Sequence, residues 1–300
     1  MRFITTLLIL LFVSISSFGQ SNGKNDWQKR NLNGKVKTIV EVLNDSKKDY
    51  QLDSFDTEGY LIKSIFFYDS NDDTSASIAT DNPAYINKYV TLFYYDNAHH
   101  LLKRTYGNML ENLAETTKFK YDGKWRLTEV AIDNNGAHIV SKFEYDSKGQ
   151  LLKELTDEQG KLDNNSVFQQ TITFKYNAKN QLIEVNASLS PNDGTESQDV
   201  YYNMYEYFNV TSEGYFAGKA IMKYNTNGKI IGQDIFDYKG KPSGRVFCKY
   251  DKNNNIIYLI LSISGKPFVS NIIYKYDTQN NWVEKRQSKD LVYTRTITYY

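Results

Sequence analysis

One short phrase, returning along most of this 300-residue chain, constrains its fold more than anything else in it. It consists of an aromatic residue, Asp or Asn, two variable residues, Gly or Asn, one further residue, then Leu, Ile or Trp. Copies begin at Phe55 (FDTEGYL), Tyr95 (YDNAHHL), Tyr121 (YDGKWRL), Tyr145 (YDSKGQL), Tyr176 (YNAKNQL), Tyr224 (YNTNGKI), Tyr250 (YDKNNNI) and Tyr276 (YDTQNNW). Recurrence on this scale marks one supersecondary unit repeated many times. The Asp or Asn side chain can bond the backbone two residues on, and Gly or Asn tolerates the positive φ of a tight turn. The phrase therefore predicts a hairpin built on a type I turn followed by a bulge residue. Its turn residues are Asp56 with Gly59, Asp146 with Gly149, and Asn180, Gly228, Asn254 and Asn280 in other copies. His99 at the Gly position, and Gly123 two places early, predict turns of a different kind in the second and third copies.

The flanking residues supply the strands. Phe143 and Tyr145 alternate with Lys142 and Glu144, as Phe119 and Tyr121 do with Lys118 and Lys120. Such period-two alternation gives a strand with one buried face. The leaving strands LLKEL, LIKSI and LIEV open on two adjacent aliphatics, which predicts loss of water from both faces near the turn. Second turn signals at Asp133, Asp157, Asp237 and Ser264 make each unit two strands and two turns. The expected fold class is all-β, an antiparallel meander of repeated hairpins with roughly 16 to 18 strands, which twist must curl into a barrel-like or spiral sheet. The best helical candidate is GNMLENLAETT, residues 107–117.

The first residues, MRFITTLLILLFVSISSFGQ, place Arg2 before an apolar run and end on small residues, as a secretory signal peptide does. The expected organisation is a signal peptide over 1–19, a linker over 20–31 and one β domain over 32–300, secreted or periplasmic after cleavage, without lipid anchor or membrane insertion. The 36 basic and 35 acidic residues balance, so no general attraction to nucleic acid or anionic lipid is expected. The single cysteine, Cys248 in RVFCKYD, occupies a position filled by Phe in other copies and reads as a small buried hydrophobe.

The repeated phrase resembles that of the YD-repeat, or Rhs-like, proteins. The opening LNGKVKTIVE, the FDTEGYLIK that follows and the closing YKYDTQNNWVEKRQ are similar to a group of exported proteins of Gram-negative bacteria built on such repeats, over residues 32–300. What the resemblance implies is a curled or spiralling β-sheet. The large members of the family form hollow shells that can enclose a toxin domain. No recognisable toxin domain follows the last copy, and that delivery role is not inferred.

Residues with chemical potential are few. His99 and His100 sit side by side in a turn, His138 follows another, and no HExxH or paired CxxC spacing occurs, so no metal or cofactor is expected. Most carboxylates are the repeated Asp itself, which argues for a structural role in each turn. The Asp-rich stretch over residues 69–85 carries calcium-compatible oxygens without the glycine and terminal glutamate of an EF-hand loop. In VYYNMYEYF, residues 200–208, Tyr201, Tyr205 and Tyr207 share one face while Tyr202, Met204 and Phe208 share the other. If one row is exposed, it offers aromatic faces to a sugar or a protein. The expectation is a non-catalytic binding or scaffolding module for glycans or cell-surface proteins. A glycan-processing hydrolase with carboxylates on a concave surface and a purely structural shell are the alternatives.

Overall fold

In the computed structural model all eight phrases form the same turn. The structure describes residues 24–44, 49–69, 86–108, 113–134, 137–160, 168–190, 218–263, 267–289 and 291–300. In each turn two backbone bonds recur, as in Gly149 N–H to Asp146 O at 3.0 Å and Asp146 N–H to Gln150 O at 2.9 Å. The Asp or Asn Oδ1 accepts further N–H groups of the turn, from Glu58 and Tyr60 at Asp56 and from Lys179 and Gln181 at Asn177. The turn's backbone N–H groups use only this oxygen, so an amide can accept them as a carboxylate does. The residue at the Gly position is left-handed, with φ of 91° at Gly59, 84° at Gly149, 61° at Asn180, 77° at Gly228, 66° at Asn254 and 61° at Asn280.

His99 and Trp125 correct the expectation of different turns. They take φ of 62° and 58° and make the same backbone bonds, to Asp96 and Asp122. The Asx geometry is thus strong enough to hold a bulky residue where L side chains pay ~1–2 kcal/mol. A further copy appears at FDYKGK, where Gly240 has φ 77° and donates to the Asp237 carbonyl.

Nineteen strands form one antiparallel sheet among the described residues. They are β1 (Val36–Leu43), β2 (Tyr50–Phe55), β3 (Leu61–Asp69), β4 (Ile86–Tyr95), β5 (Leu101–Asn108), β6 (Leu113–Tyr121), β7 (Leu127–Asn134), β8 (Ala137–Tyr145), β9 (Leu151–Gly160) and β10 (Phe168–Tyr176). Then follow β11 (Leu182–Ser190), β12 (Gly218–Tyr224), β13 (Ile230–Asp237), β14 (Pro242–Tyr250), β15 (Ile256–Ile263), β16 (Phe268–Asn271), β17 (Ile273–Tyr276), β18 (Trp282–Ser288) and β19 (Leu291–Tyr299). The count exceeds the sequence expectation partly because Ile272 alone separates β16 from β17. Of the helical candidate over residues 107–117, residues 107–108 close β5 and 113–117 open β6, with Gly107 opposite Ala114, and residues 109–112 lie outside the described residues. Alternating Thr, Tyr and Phe around that segment favours pairing over a lone helical turn.

Contacts group the chain into two compact units, one over Phe119–Lys249 and Leu259–Val269, the other over Gly23–Lys118, Tyr250–Tyr258 and Ser270–Tyr300. In the first, Phe143, Phe174, Leu127, Val130 and Val185 form the core, and the Ser141 and Thr156 hydroxyls bond each other beneath them at 2.7 Å. Each buried aromatic or aliphatic side chain contributes about 1.5–3 kcal/mol. In the second, Val36, Ile39, Phe55, Leu61 and Phe66 are buried, and β1 pairs with β2 on one side and β19 on the other. The segment expected as a linker over 20–31 carries a helical turn, α1 (Asp26–Lys29), closed by an Asn25–Gln28 capping box. Its Trp27 is buried against the first phrase, where a Cβ on Gly59 would lie 2.5 Å from the indole.

The adjacent aliphatics also differ from expectation. Phe55 lies opposite Leu61 and Ser54 opposite Lys63, so Ile62 is a bulge residue with no cross-strand partner. Leu61 and Leu101 are 3% and 4% exposed, whereas Ile62, Leu102 and Leu152 are 41%, 43% and 43% exposed. The bulge turns the second aliphatic outward, and only one face loses water.

Candidate functional site

The repeated carboxylates are consumed by the turns. At Asp122 the Arg126 N–H, and then the Arg126 guanidinium and Lys124 N–H, hold the carboxyl below the usual range. At Asp96, desolvation would raise the carboxyl, but bonds from His100 and Ala98 outweigh it and lower it. These groups are pinned by backbone donors, which leaves them poorly placed to act on anything else.

The repeated tyrosines have a second task. The Tyr95 hydroxyl donates to the Leu61 carbonyl at 2.9 Å, Tyr145 to Leu127 at 2.8 Å and Tyr224 to Leu182, while Tyr274, two residues before the phrase residue Tyr276, donates to Ile256. In each case the acceptor is the last residue of an earlier phrase, which opens the leaving strand. One hairpin is tied to the next by a side chain, and burial raises Tyr145 to about 12. Cys248, two residues before Tyr250, makes the approach that corresponds to Tyr274, to Ile230 O at 3.8 Å, and is fully buried.

Tyr201, Tyr205 and Tyr207 lie outside the described residues, as do residues 70–85 of the Asp-rich stretch. The strands that flank both segments are described. β3 ends at Asp69 and β4 resumes at Ile86, while β11 ends at Ser190 and β12 resumes at Gly218. Since Phe55–Leu61 and Tyr176–Leu182 pairs mark the phrase end of these strands, both segments connect strands at the opposite end within their own units. His99 stacks on Tyr60 at 4.1 Å, His100 Nδ1 lies 3.0 Å from Asp96, and His138 lies 2.7 Å from Asp133. Among the described residues no group of three or more His, Cys, Asp or Glu is arranged to hold a metal ion.

The sequence does not single out what the second unit carries on its inward face, a cluster of charges. Arg30 Nη1 lies 2.7 Å from Asp53, which is 5% exposed and also accepts from Gln51 at 3.0 Å. Burial would raise the Asp53 carboxyl, but Arg30, Gln51 and Ser64 together lower it. Burial would likewise lower Arg30, yet Asp53 raises it above its ordinary value. Two strands away, Arg295 Nε donates to Glu41 at 2.7 Å while its guanidinium lies 3.4 Å from the Trp282 ring centre. Register explains the meeting, since Glu41 faces Arg295 across β1–β19 and Gln51 across β1–β2. Lys285, opposite Tyr293 on β18–β19, completes the group with its ammonium 4.3 Å from that ring. A signal for this cluster exists in the sequence. Glu41 lies between Ile39 and Leu43 at alternate positions, and Arg295 between Tyr293 and Ile297, each a charge in an apolar row.

No protein-family model and no curated protein sequence matches the chain. Solved structures do. Chains in crystal structures of TcdB2-TccC3-TEV and TcdB2-TccC3-Cdc42 share 11% identity over 79% and 81% of this chain, with TM-scores of 0.28 and 0.27. This chain spans 12% and 15% of their lengths. A porin-like protein from Bacteroides uniformis ATCC 8492 shares 11% identity, with a TM-score of 0.41 and coverage of 89% of this chain and 98% of that one. These likenesses carry nothing about what the present chain binds.

Proposed function

We propose that the protein is an exported, non-catalytic β-repeat scaffold of the YD-repeat kind that presents its longer connections for binding, to glycans or cell-surface proteins. The observation that carries this is the inequality of the two strand ends. At one end the connections are five-residue turns locked by an Asx side chain. At the other, within the first unit, residues 191–217 stand between β11 and β12, and within the second, residues 70–85 stand between β3 and β4. Long connections on a rigid framework are where recognition residues collect. The outward charges Lys120, Lys142, Glu144 and Lys175 suit a water-facing sheet, in keeping with the leader-like start of the sequence.

Replacing Tyr201 and Tyr205 together by Ala tests the proposal. Binding in a screen of glycans and surface proteins should be lost while the unfolding midpoint stays unchanged. Retained binding, or destabilisation approaching the ~3–5 kcal/mol of a core aromatic truncation, would remove these tyrosines from the binding surface.

A further inference from the structure

We propose that the inward face of β17–β19 in the second unit binds the carboxylate of a small organic acid or acidic sugar, with Lys285 as the principal anion contact and Tyr293, Trp282 and Arg295 around it. The cluster holds three cations, Arg30, Arg295 and Lys285, and two inward carboxylates, Asp53 and Glu41. Asp26 also faces Arg30, but its carboxylate accepts the Leu61 N–H at 2.8 Å and lies 3.2 Å from Lys29. Arg30 and Arg295 each have a carboxylate at 2.7 Å. Lys285 has no ion pair or hydrogen bond among the described residues; its contact is the face of Tyr293, with Glu41 and Arg295 acting at longer range.

The remaining functional groups can all donate. Lys285 Nζ, Tyr293 Oη and Trp282 Nε1 are all hydrogen-bond donors, and none donates to a described residue. All four side chains keep accessible surface, since Trp282, Lys285, Tyr293 and Arg295 are half-buried and Arg295 retains 18% of its side chain open. Yet burial is the largest influence on both Lys285 and Arg295 and lowers their proton affinity. Both groups are thus closely surrounded by protein yet keep open surface. An ammonium in such a place lacks the compensation that charges away from bulk water require. An oxyanion accepting from Lys285 and the neighbouring donors supplies it, through charge-assisted bonds stronger than neutral ones. Lys285 and Tyr293 stand opposite each other close to the β18–β19 connection, where Ser288 pairs with Leu291.

Titration of Trp282 fluorescence and thermal midpoint with glucuronate, acetate, inorganic phosphate and glucose tests the inference. Saturable binding of glucuronate or acetate, with glucose at least tenfold weaker, is expected. Glucuronate tighter than acetate assigns an acidic sugar, and equal affinities assign a simple acid. Lys285→Met should weaken carboxylate binding by about tenfold or more, the loss of one charged hydrogen bond. If that variant fails to fold, Tyr293→Phe, which removes only the hydroxyl, should weaken binding severalfold. No saturable binding, phosphate preferred over both carboxylates, or undiminished affinity in the variants would overturn the proposal. The Tyr201→Ala/Tyr205→Ala protein should bind carboxylates normally, so failure of either proposal can be told from failure of the other.

Discussion

Asp and Asn share the first turn position because the turn needs an oxygen that accepts from the backbone, and both supply it. What separates them is acid. The folded structure holds the Asp122 carboxyl below its unfolded value of ~3.9, through Arg126 first. A carboxyl lowered on folding adds stability that is complete above the unfolded value and is lost as pH falls through the folded one. Asp122→Asn keeps an acceptor for the Lys124 and Arg126 N–H groups but cannot titrate. The wild type should therefore exceed this variant in urea midpoint at pH 6, and the gap should close by pH 2.5. A gap of constant size would mean that the carboxylate charge adds nothing to the turn. This chemistry is local, which is why Asp56, Gly59, Asn180 and Asn280 could be recognised from sequence alone. His99 and Trp125 could not, because a propensity for positive φ is outweighed when two backbone bonds and an Asx bond fix the loop around them.

At the scale of the hairpin, alternation in the entering strand was legible from Phe119, Phe143 and Phe174, all buried. The leaving strand was not, since two adjacent aliphatics look alike in sequence and only the bulge register decides that Leu61 turns inward and Ile62 outward. Nor does sequence say what the tyrosine hydroxyl is for. The structure gives it the first carbonyl of the preceding leaving strand, which explains a tyrosine at a position where a phenylalanine ring would fill the same space. Tyr145→Phe removes the donor and keeps the ring, leaving the Leu127 carbonyl to find another partner. The expected cost is about 1 kcal/mol, the usual net value of such a bond. Tyr145→Phe and Tyr224→Phe together should cost nearly the sum of the two, because their acceptors belong to separate hairpin pairs. Chemical denaturation of the two single variants and the double variant measures both quantities. A cost near zero in both singles would reduce the hydroxyls to bystanders and leave ring burial as the link between repeats.

Across the whole chain, the repeat signalled a long meander, and the pairing of β1 with β19 joins residues 250 or more positions apart in sequence. That pairing, which no local pattern announces, brings Glu41 to Arg295. The partners carry different weight from the many ion pairs on the outward side. Lys120 and Glu129 lie 2.6 Å apart, but the lysine side chain is 68% exposed. Such a pair contributes roughly 0–1 kcal/mol. Arg295 is 18% exposed, its charge presses on Trp282, and burial already lowers its proton affinity. Glu41→Gln leaves that guanidinium near Lys285 and Arg30 without its carboxylate, and truncating one partner of a desolvated pair costs roughly 2–5 kcal/mol. The expected result is a clear fall in thermal midpoint for Glu41→Gln and almost none for Glu129→Gln, with the fall for Glu41→Gln largely insensitive to salt because screening reaches exposed pairs far better than interior ones. Equal, small effects from both substitutions would show that water reaches Arg295 freely, and would place the inward charges of β1 and β19 among the solvated surface groups.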